Sequence, residues 1–131
     1  MTKARTHVLE AISSASEPLS ARQLCELYHE EHDPATIYRA LHYLEQKMRV
    51  ESFILHCDAH GTERYYVARA GAHRHWFHCE RCHRFTDLGP CRFDTLVGAM
   101  SAEKGLAIRS HTFYATGLCG ECQKSEAVAS P

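Results

Sequence analysis

The chain has 131 residues, of which 44% are hydrophobic and 24% are charged. This length leaves room for one modest domain or two very small ones, and the composition is that of a globular protein, which argues against a large multi-step enzyme, a disordered chain or a coiled coil. No apolar run approaches the ~20 residues of a membrane span, and the first residues lack the apolar stretch of a secretory signal. We therefore expect a cytoplasmic protein with no membrane partner.

Cysteine and histidine are unusually frequent, with seven Cys and eleven His. Because cytoplasmic thiols stay reduced, paired cysteines accompanied by histidines favour metal binding over a disulfide framework. The net charge of -1 does not point to nucleic acid, since nucleic-acid-binding proteins are usually more basic. Any DNA-binding face must therefore come from a local arrangement of side chains.

Three helices are predicted in the first part of the chain. The first covers about residues 5–13, where apolar residues recur at helical spacing. The second begins at Ser20, because the run from Ser20 to Gln23 has the form of a capping box. The third begins at Asp33 and Pro34, since a carboxylate caps free N–H groups and proline suits the first helical position.

The third helix is predicted to present one apolar face, formed by Ile37, Leu41, Leu44 and Met48. Two short β-type runs follow, over residues 50–55 and 64–67, and they predict a hairpin with a loose turn. Three short helices and a hairpin are the layout of a winged helix-turn-helix, whose third helix enters the major groove of DNA. A small helical subdomain without a DNA role has the same pattern, so the pattern alone leaves both readings open.

The predicted organisation is α+β: a winged helix-turn-helix domain over residues 1–69, a small α/β domain over 70–123 and a disordered tail over 124–131. In the second domain, strands are predicted over residues 75–78, 84–88 and 107–114. A helix is predicted over about 92–104, with Phe93, Leu96, Val97 and Met100 in one stripe and Gly105 at its end.

The cysteines of the second domain include two C-x2-C pairs, Cys79 with Cys82 and Cys119 with Cys122. Four thiolates complete a tetrahedral zinc ion and leave no open position for a substrate, so this pattern predicts a structural zinc site. A redox pair or an iron–sulfur cluster would use the same residues, but neither half has the βαβ context of a thioredoxin motif.

A second metal site is suggested by His73 and His75, whose imidazoles project to the same face of an extended segment. Asp94 and His111 could complete a set of three nitrogens and one oxygen, which suits zinc, iron(II), manganese or cobalt. Solvated surface histidines are the alternative. Cys91 adjoins a helix start, where a thiol is reactive if it is exposed.

The order and spacing of these pieces resemble the ferric uptake regulator (Fur) superfamily of metal-responsive repressors, and most of all its zinc-uptake branch. The resemblance runs from Arg5 to Cys122. It is carried by Leu19-Ser-Ala21, Ala35-Thr-Ile-Tyr-Arg-Ala-Leu41, the histidine-rich run that ends in Cys79-x2-Cys82, His111, and Gly117-Leu-Cys-Gly-Glu-Cys122.

The resemblance implies that Thr36, Tyr38 and Arg39 contact double-stranded operator DNA, and that the second domain forms a homodimer. It also implies structural zinc at the four cysteines and a second divalent metal, zinc first and iron or manganese next. The metal site that it assigns to the dimerisation domain consists of His73, His75, Asp94 and His111. Glu51 and Asp87 match positions that sometimes supply a ligand, whereas Arg74 and Trp76 stand where many members carry the two histidines of the main sensing site.

These observations predict a metal-dependent transcriptional repressor that controls metal-ion uptake genes, with zinc as the metal. An iron-, manganese- or peroxide-responsive regulator of the same family is the alternative. A zinc enzyme is less favoured, because no H-E-x-x-H or nucleophile motif occurs and the strongest metal site is closed. A metal-binding protein without a DNA role is the third possibility.

Overall fold

The computed structural model describes the backbone of residues 1–129 and side chains as far as residue 125. The chain divides into two compact units, Met1–Gly71 and a second unit that begins at Ala72. The predicted domain boundary after residue 69 falls in the same segment. The predicted α+β class, with a helical first part and a small sheet in the second, is confirmed.

The first unit contains helices α1 (Lys3–Ser14), α2 (Ala21–Leu27) and α3 (Pro34–Gln46). The predicted capping box is confirmed: Ser20 Oγ accepts a hydrogen bond from Gln23 N at 3.1 Å, and Gln23 Oε1 accepts one from Ser20 N at 2.8 Å. Asp33 caps α3 through its Oδ1 atom, which accepts from Thr36 N at 2.8 Å. Both starts are therefore fixed by bonds within one helical turn.

The core of the first unit lies between the helices and the hairpin. Its buried residues are Ala4, Val8, Ile12, Leu24, Ile37, Ala40, Leu41, Leu44, Val50 and Tyr66. The predicted apolar face of α3 is confirmed at three of its four positions. Met48 is the exception and is 58% exposed, because α3 ends at Gln46 and Met48 adopts a φ of 59°.

Strands β2 (Val50–Cys57) and β3 (Gly61–Ala68) form the predicted antiparallel hairpin, with register from Val50 opposite Ala68 to Cys57 opposite Gly61. A short strand β1 (Leu19–Ser20) joins the free edge of β3, which gives the sheet order β1-β3-β2. The sequence did not predict β1, since two residues carry no periodic pattern. Helices and hairpin together form a winged helix-turn-helix.

The second unit is built on a sheet of β4 (Arg74–Cys79), β5 (Phe85–Pro90) and β6 (Tyr114–Gly117) in the order β5-β4-β6. β5 runs antiparallel to β4, and β6 runs parallel to it. Helix α4 (Asp94–Lys104) connects the two edges, and Gly105 ends it with a φ of 65°, as predicted. The strand predicted over residues 107–114 is misplaced: residues 106–113 have no regular structure, and the strand begins only at Tyr114.

Helix α5 (Gly120–Ala129) follows the last cysteine pair. It covers residues 124–129, where the sequence predicted a disordered tail; Lys, Glu and Ala in this segment are good helix formers. Residues 130–131 of that predicted tail lie outside the described residues.

Candidate metal centres and DNA-facing helix

The four paired cysteines come together in the second unit. The Sγ atoms of Cys79, Cys82, Cys119 and Cys122 all lie within 4.8 Å of one another, and those of Cys82 and Cys119 are 3.8 Å apart. Four sulfurs at the zinc–thiolate distance of ~2.3 Å in a tetrahedron are separated by about 3.8 Å. The thiols are therefore spaced as a zinc ion requires.

The sheet explains why residues so distant in sequence meet. Parallel pairing of β4 with β6 places Cys79 opposite Gly117, and Glu80 N donates to Gly117 O at 2.8 Å. Cys119 lies two residues after the end of β6, and Cys122 lies in the first turn of α5. One ion bound to the four thiols would thus fasten the C-terminal segment to the central strand.

The thiols differ in acidity before any metal binds. Burial alone would raise the pKa of Cys79, but backbone N–H groups of Cys119, Cys82 and Arg81 outweigh it and lower that pKa to about 6. Burial, together with hydrogen bonding among the neighbouring thiols, raises the pKa of Cys122 to about 12. One thiolate is therefore available near neutral pH, and Cys122 must lose its proton on metal binding.

The three predicted histidine ligands also converge. His111 Nε2 lies 3.1 Å from His73 Nε2 and 3.2 Å from His75 Nε2. Nitrogens that share a tetrahedral zinc ion at ~2.0–2.1 Å stand about 3.3 Å apart. The imidazoles are therefore placed for a single metal ion.

Hydrogen bonding orients the buried His75. Its Nδ1 atom lies 3.1 Å from the carbonyl oxygen of Phe113, so an N–H at Nδ1 donates to that oxygen and Nε2 keeps its lone pair. Burial lowers the pKa of His75 below its usual value, which keeps the ring neutral at neutral pH. The rings of Phe93 and Phe113 pack edge-on against it, each with its centroid 5.7 Å away, and form an apolar wall beside the site.

The fourth member of this group is Cys91, which the sequence did not predict as a ligand. Its Sγ atom lies 3.2 Å from His111 Nε2, and the group of four ligand atoms contains Cys91 and not Asp94. Asp94 is exposed at the start of α4, where its charge raises the pKa of His75 against the effect of burial. Cys91 could have been considered from the sequence, because it is a thiol that lies three residues before Asp94, the expected carboxylate ligand.

The two other predicted ligands lie apart from these groups. Glu51 is half-buried on β2, opposite Val67. Asp87 forms an ion pair with Arg74 at 2.7 Å and accepts a hydrogen bond from Gly89 N at 2.8 Å. Among the described residues, neither belongs to a group of ligand atoms that could share a metal.

The residues predicted to contact DNA lie on α3. Tyr38 is 54% exposed, Arg39 is exposed, and Thr36 is half-buried. Arg39 Nη2 donates to Thr36 Oγ1 at 3.3 Å. Tyr38 also lines a groove between α2, α3 and β3, together with Arg22 and Arg64.

The charge around this groove is partly neutralised. Arg22 forms an ion pair with Glu63 at 2.9 Å, whereas Arg64 donates to the neutral hydroxyl of Ser52 at 3.0 Å. Arg39 and Arg64 thus present positive charge on an open face that an anionic DNA backbone can approach.

None of the helices in the described part of the chain is long and apolar enough to cross a membrane.

Comparison with known protein families identifies the class of protein. The ferric uptake regulator family model matches residues 1–116. The chain belongs to this family, which makes it a transcription regulator rather than an enzyme.

Individual relatives are consistent with this assignment. The zinc uptake regulation protein of Escherichia coli (strain K12) is 28% identical over 137 aligned residues, which cover 100% of this chain and 77% of that protein. A solved zinc uptake regulator complexed with zinc and DNA is 26% identical, with a TM-score of 0.71 and coverage of 96% of this chain and 85% of the other. The Helicobacter pylori ferric uptake regulator Fur, at 20% identity, shares the fold with a TM-score of 0.71 and coverage of 96% and 83%.

Proposed function

We propose that this chain is a metal-dependent, DNA-binding repressor of zinc uptake genes that acts in the cytoplasm. The observation that carries the proposal is the convergence of three imidazole nitrogens, His73, His75 and His111, in a member of a metal-responsive family. This cluster lies in the same unit as a four-thiol group with zinc spacing. One site is closed and structural, and the other is composed of exchangeable nitrogen ligands suited to sensing.

DNA contact is assigned to Thr36, Tyr38 and Arg39 on α3. The exposure of Tyr38 and Arg39 and the positive charge of Arg39 support this role, and so does the similarity to a zinc uptake regulator complexed with zinc and DNA. In a winged helix-turn-helix the recognition helix, here α3, enters the major groove. Tyr38 then packs on bases, and Arg39 binds a phosphate or a base edge. The hairpin β2–β3 lies beside the DNA backbone.

Homodimer formation is assigned to the second unit. Helix α4, all of whose residues the structure describes, buries none of them, and Leu96 and Met100 are 55% and 42% exposed. The following segment exposes Leu106 and Ile108 to similar extents, 56% and 37%. Large apolar side chains that lie exposed together on a small unit are typical of a protein–protein interface. A symmetric dimer also matches a two-fold operator.

Metal and DNA act through linkage. A metal ion held by the histidine site supplies a cross-link that favours the dimer conformation able to bind the operator. By thermodynamic reciprocity, each ligand then strengthens binding of the other, typically by about 1 to 3 kcal/mol. Sufficient zinc in the cell turns repression on, and uptake genes are expressed when zinc is scarce.

The test is fluorescence anisotropy of the folded dimer on DNA from upstream of its own gene, with zinc kept in the four-thiol site. Free zinc is buffered across a range, and iron(II) and manganese(II) are titrated separately. We expect tight binding only with zinc and none of comparable strength to a scrambled duplex. Equal DNA binding by dimers with and without metal in the histidine site would refute metal dependence, and a stronger response to iron or manganese would reassign the metal.

A further inference from the structure

The fourth ligand of the histidine site is decided by the segment between β5 and α4. Cys91 N donates to His73 O at 3.0 Å, which continues the pairing of this segment with the start of β4. The same pairing brings the Cys91 side chain onto the histidine face, with Sγ 3.2 Å from His111 Nε2.

The environment of Cys91 suits a bound thiolate. Phe93, the residue immediately before α4, donates a hydrogen bond from its backbone N to Cys91 Sγ at 3.2 Å. Phe93 itself makes no side-chain capping bond to the start of this helix. Hydrogen bonds from backbone N–H groups stabilise negative charge on sulfur. Asp94, by contrast, is exposed and is the first residue of α4.

We propose that Cys91, and not Asp94, completes the regulatory site, which therefore binds a divalent ion through three imidazole nitrogens and one thiolate. The inference rests on the proposed regulatory site and defines its donor set. Binding displaces the thiol proton of Cys91 to solvent and forms one metal–sulfur bond, with no change of oxidation state. Asp94 remains beside the site as an unbound charge that attracts the cation.

The thiolate changes which metals the site selects. Three nitrogens and an oxygen can hold zinc, iron(II) or manganese(II), whereas a thiolate further favours zinc and cobalt(II) over manganese(II). Distances agree with mixed coordination: with zinc–sulfur at ~2.3 Å and zinc–nitrogen at ~2.0 Å, a sulfur and a nitrogen in a tetrahedron lie about 3.5 Å apart. Cys91 Sγ and His111 Nε2 are 3.2 Å apart, so the two atoms need to separate only slightly to share a metal ion.

Cobalt(II) provides a direct test, because a cobalt–thiolate bond gives a near-ultraviolet charge-transfer band. The full-length dimer is prepared with zinc in the four-thiol site, verified by elemental analysis, and one equivalent of cobalt(II) per chain is added. We expect a charge-transfer band in the unmodified protein, its loss in Cys91→Ser with an affinity for cobalt(II) lowered at least about tenfold, and its persistence in Asp94→Asn. Cys25→Ser is the matched control, because it removes a half-buried thiol on α2, and it should keep the band.

Each other outcome overturns the assignment. No charge-transfer band in the unmodified protein, or a band that survives Cys91→Ser, excludes Cys91 as a ligand. Loss of cobalt(II) binding in Asp94→Asn, with binding kept in Cys91→Ser, assigns the fourth position to Asp94. Anisotropy on operator DNA separates this result from the proposed function: a Cys91-dependent band without metal-dependent DNA binding would refute the repressor mechanism and leave the ligand assignment standing.

Discussion

His75 directs Nδ1 at the carbonyl oxygen of Phe113, 3.1 Å away, and Nε2 at His111 Nε2, 3.2 Å away. The backbone acceptor thus fixes which nitrogen carries the proton and leaves the other as a metal ligand. We predict that His75→Ala lowers the zinc affinity of the regulatory site by at least about tenfold, since losing even an outer partner of a ligand costs that much. Competition with a zinc-buffering chelator measures the change, and anisotropy should show weaker zinc-dependent DNA binding.

The control for this prediction is His29→Ala, which removes a histidine whose side chain is 72% exposed in the first unit. That variant should retain the zinc affinity and DNA response of the unmodified protein. Zinc in the four-thiol site should be unaffected in both variants. Unchanged zinc affinity in His75→Ala would contradict the assignment of this residue.

The four-thiol site should lose zinc as the pH falls. Zinc binds thiolates, so protons compete with the metal, and the competition grows once pH approaches the pKa of about 6 of Cys79, the most acidic of the shifted thiols. The high pKa of Cys122, about 12, means that zinc displaces a proton there even at neutral pH, so the apparent affinity rises with pH. A chromogenic chelator follows zinc release during a pH titration.

Zinc loss should also unfold the second unit, because a structural zinc site contributes folding free energy that a small unit lacks. Circular dichroism after chelation should retain the helical signal of α1, α2 and α3 and lose the rest. Zinc release that is independent of pH would contradict binding by thiolates, and an unaltered spectrum after complete zinc removal would contradict a structural role.

Structural features that depend on residues close together in the chain could be predicted from the sequence. The caps at Ser20 and Asp33 and the glycine end of α4 at Gly105 were all predicted, because each involves contacts within one or two helical turns. The four-cysteine group was predictable as well, since two C-x2-C pairs in one small domain are typical of a structural zinc site.

The remaining features depend on contacts that periodicity does not encode. β6 begins at Tyr114 because parallel pairing with β4 fixes its position, and no local pattern specifies that register. Leu96 and Met100 of the predicted apolar stripe of α4 are exposed within the chain, because helical spacing does not specify what a stripe packs against. The position of Cys91 beside His111 depends on the backbone pairing of Cys91 with His73, which spacing alone could not distinguish from an Asp94 ligand.

Arg39→Ala should weaken operator binding without unfolding the protein, since the side chain is exposed and its hydrogen bond within the described part of the chain is to the neighbouring Thr36. A dimer loses two such contacts. If each is to a phosphate, the slope of log K against log salt should fall in magnitude by about 2. If each is to a base edge, the preference for the operator over scrambled DNA should fall, by about 1–3 kcal/mol for each site.

The salt series is measured by anisotropy with Lys104→Ala as the control, a change at the last residue of α4 in the other unit. That variant should bind DNA as the unmodified protein does. An Arg39→Ala protein with unchanged affinity, salt slope and sequence preference would favour a metal-binding protein without a DNA role.

Ser20→Ala should lower the free energy of unfolding by about 1 kcal/mol, because it removes the side-chain acceptor of the α2 capping box. Gln23 N then loses its partner at the start of the helix that precedes α3. Urea denaturation followed by circular dichroism measures the effect, and Ser16→Ala, an exposed position before α2, is the control. Equal stability of the two variants would show that the cap contributes little.

Leu96→Glu should dissociate the dimer. Leu96 is 55% exposed on α4, and the proposed interface buries it in both protomers. Losing two buried leucines, at about 1.5 kcal/mol or more each, raises the dimer dissociation constant by at least about 100-fold.

Leu27→Glu provides a closely matched control, since Leu27 is 59% exposed on α2 and the substitution adds the same charge. Size-exclusion chromatography with light scattering should find monomers for Leu96→Glu and dimers for Leu27→Glu. Dissociation by both variants would indicate a general effect of added charge, and dimers in both would place the interface elsewhere on the second unit.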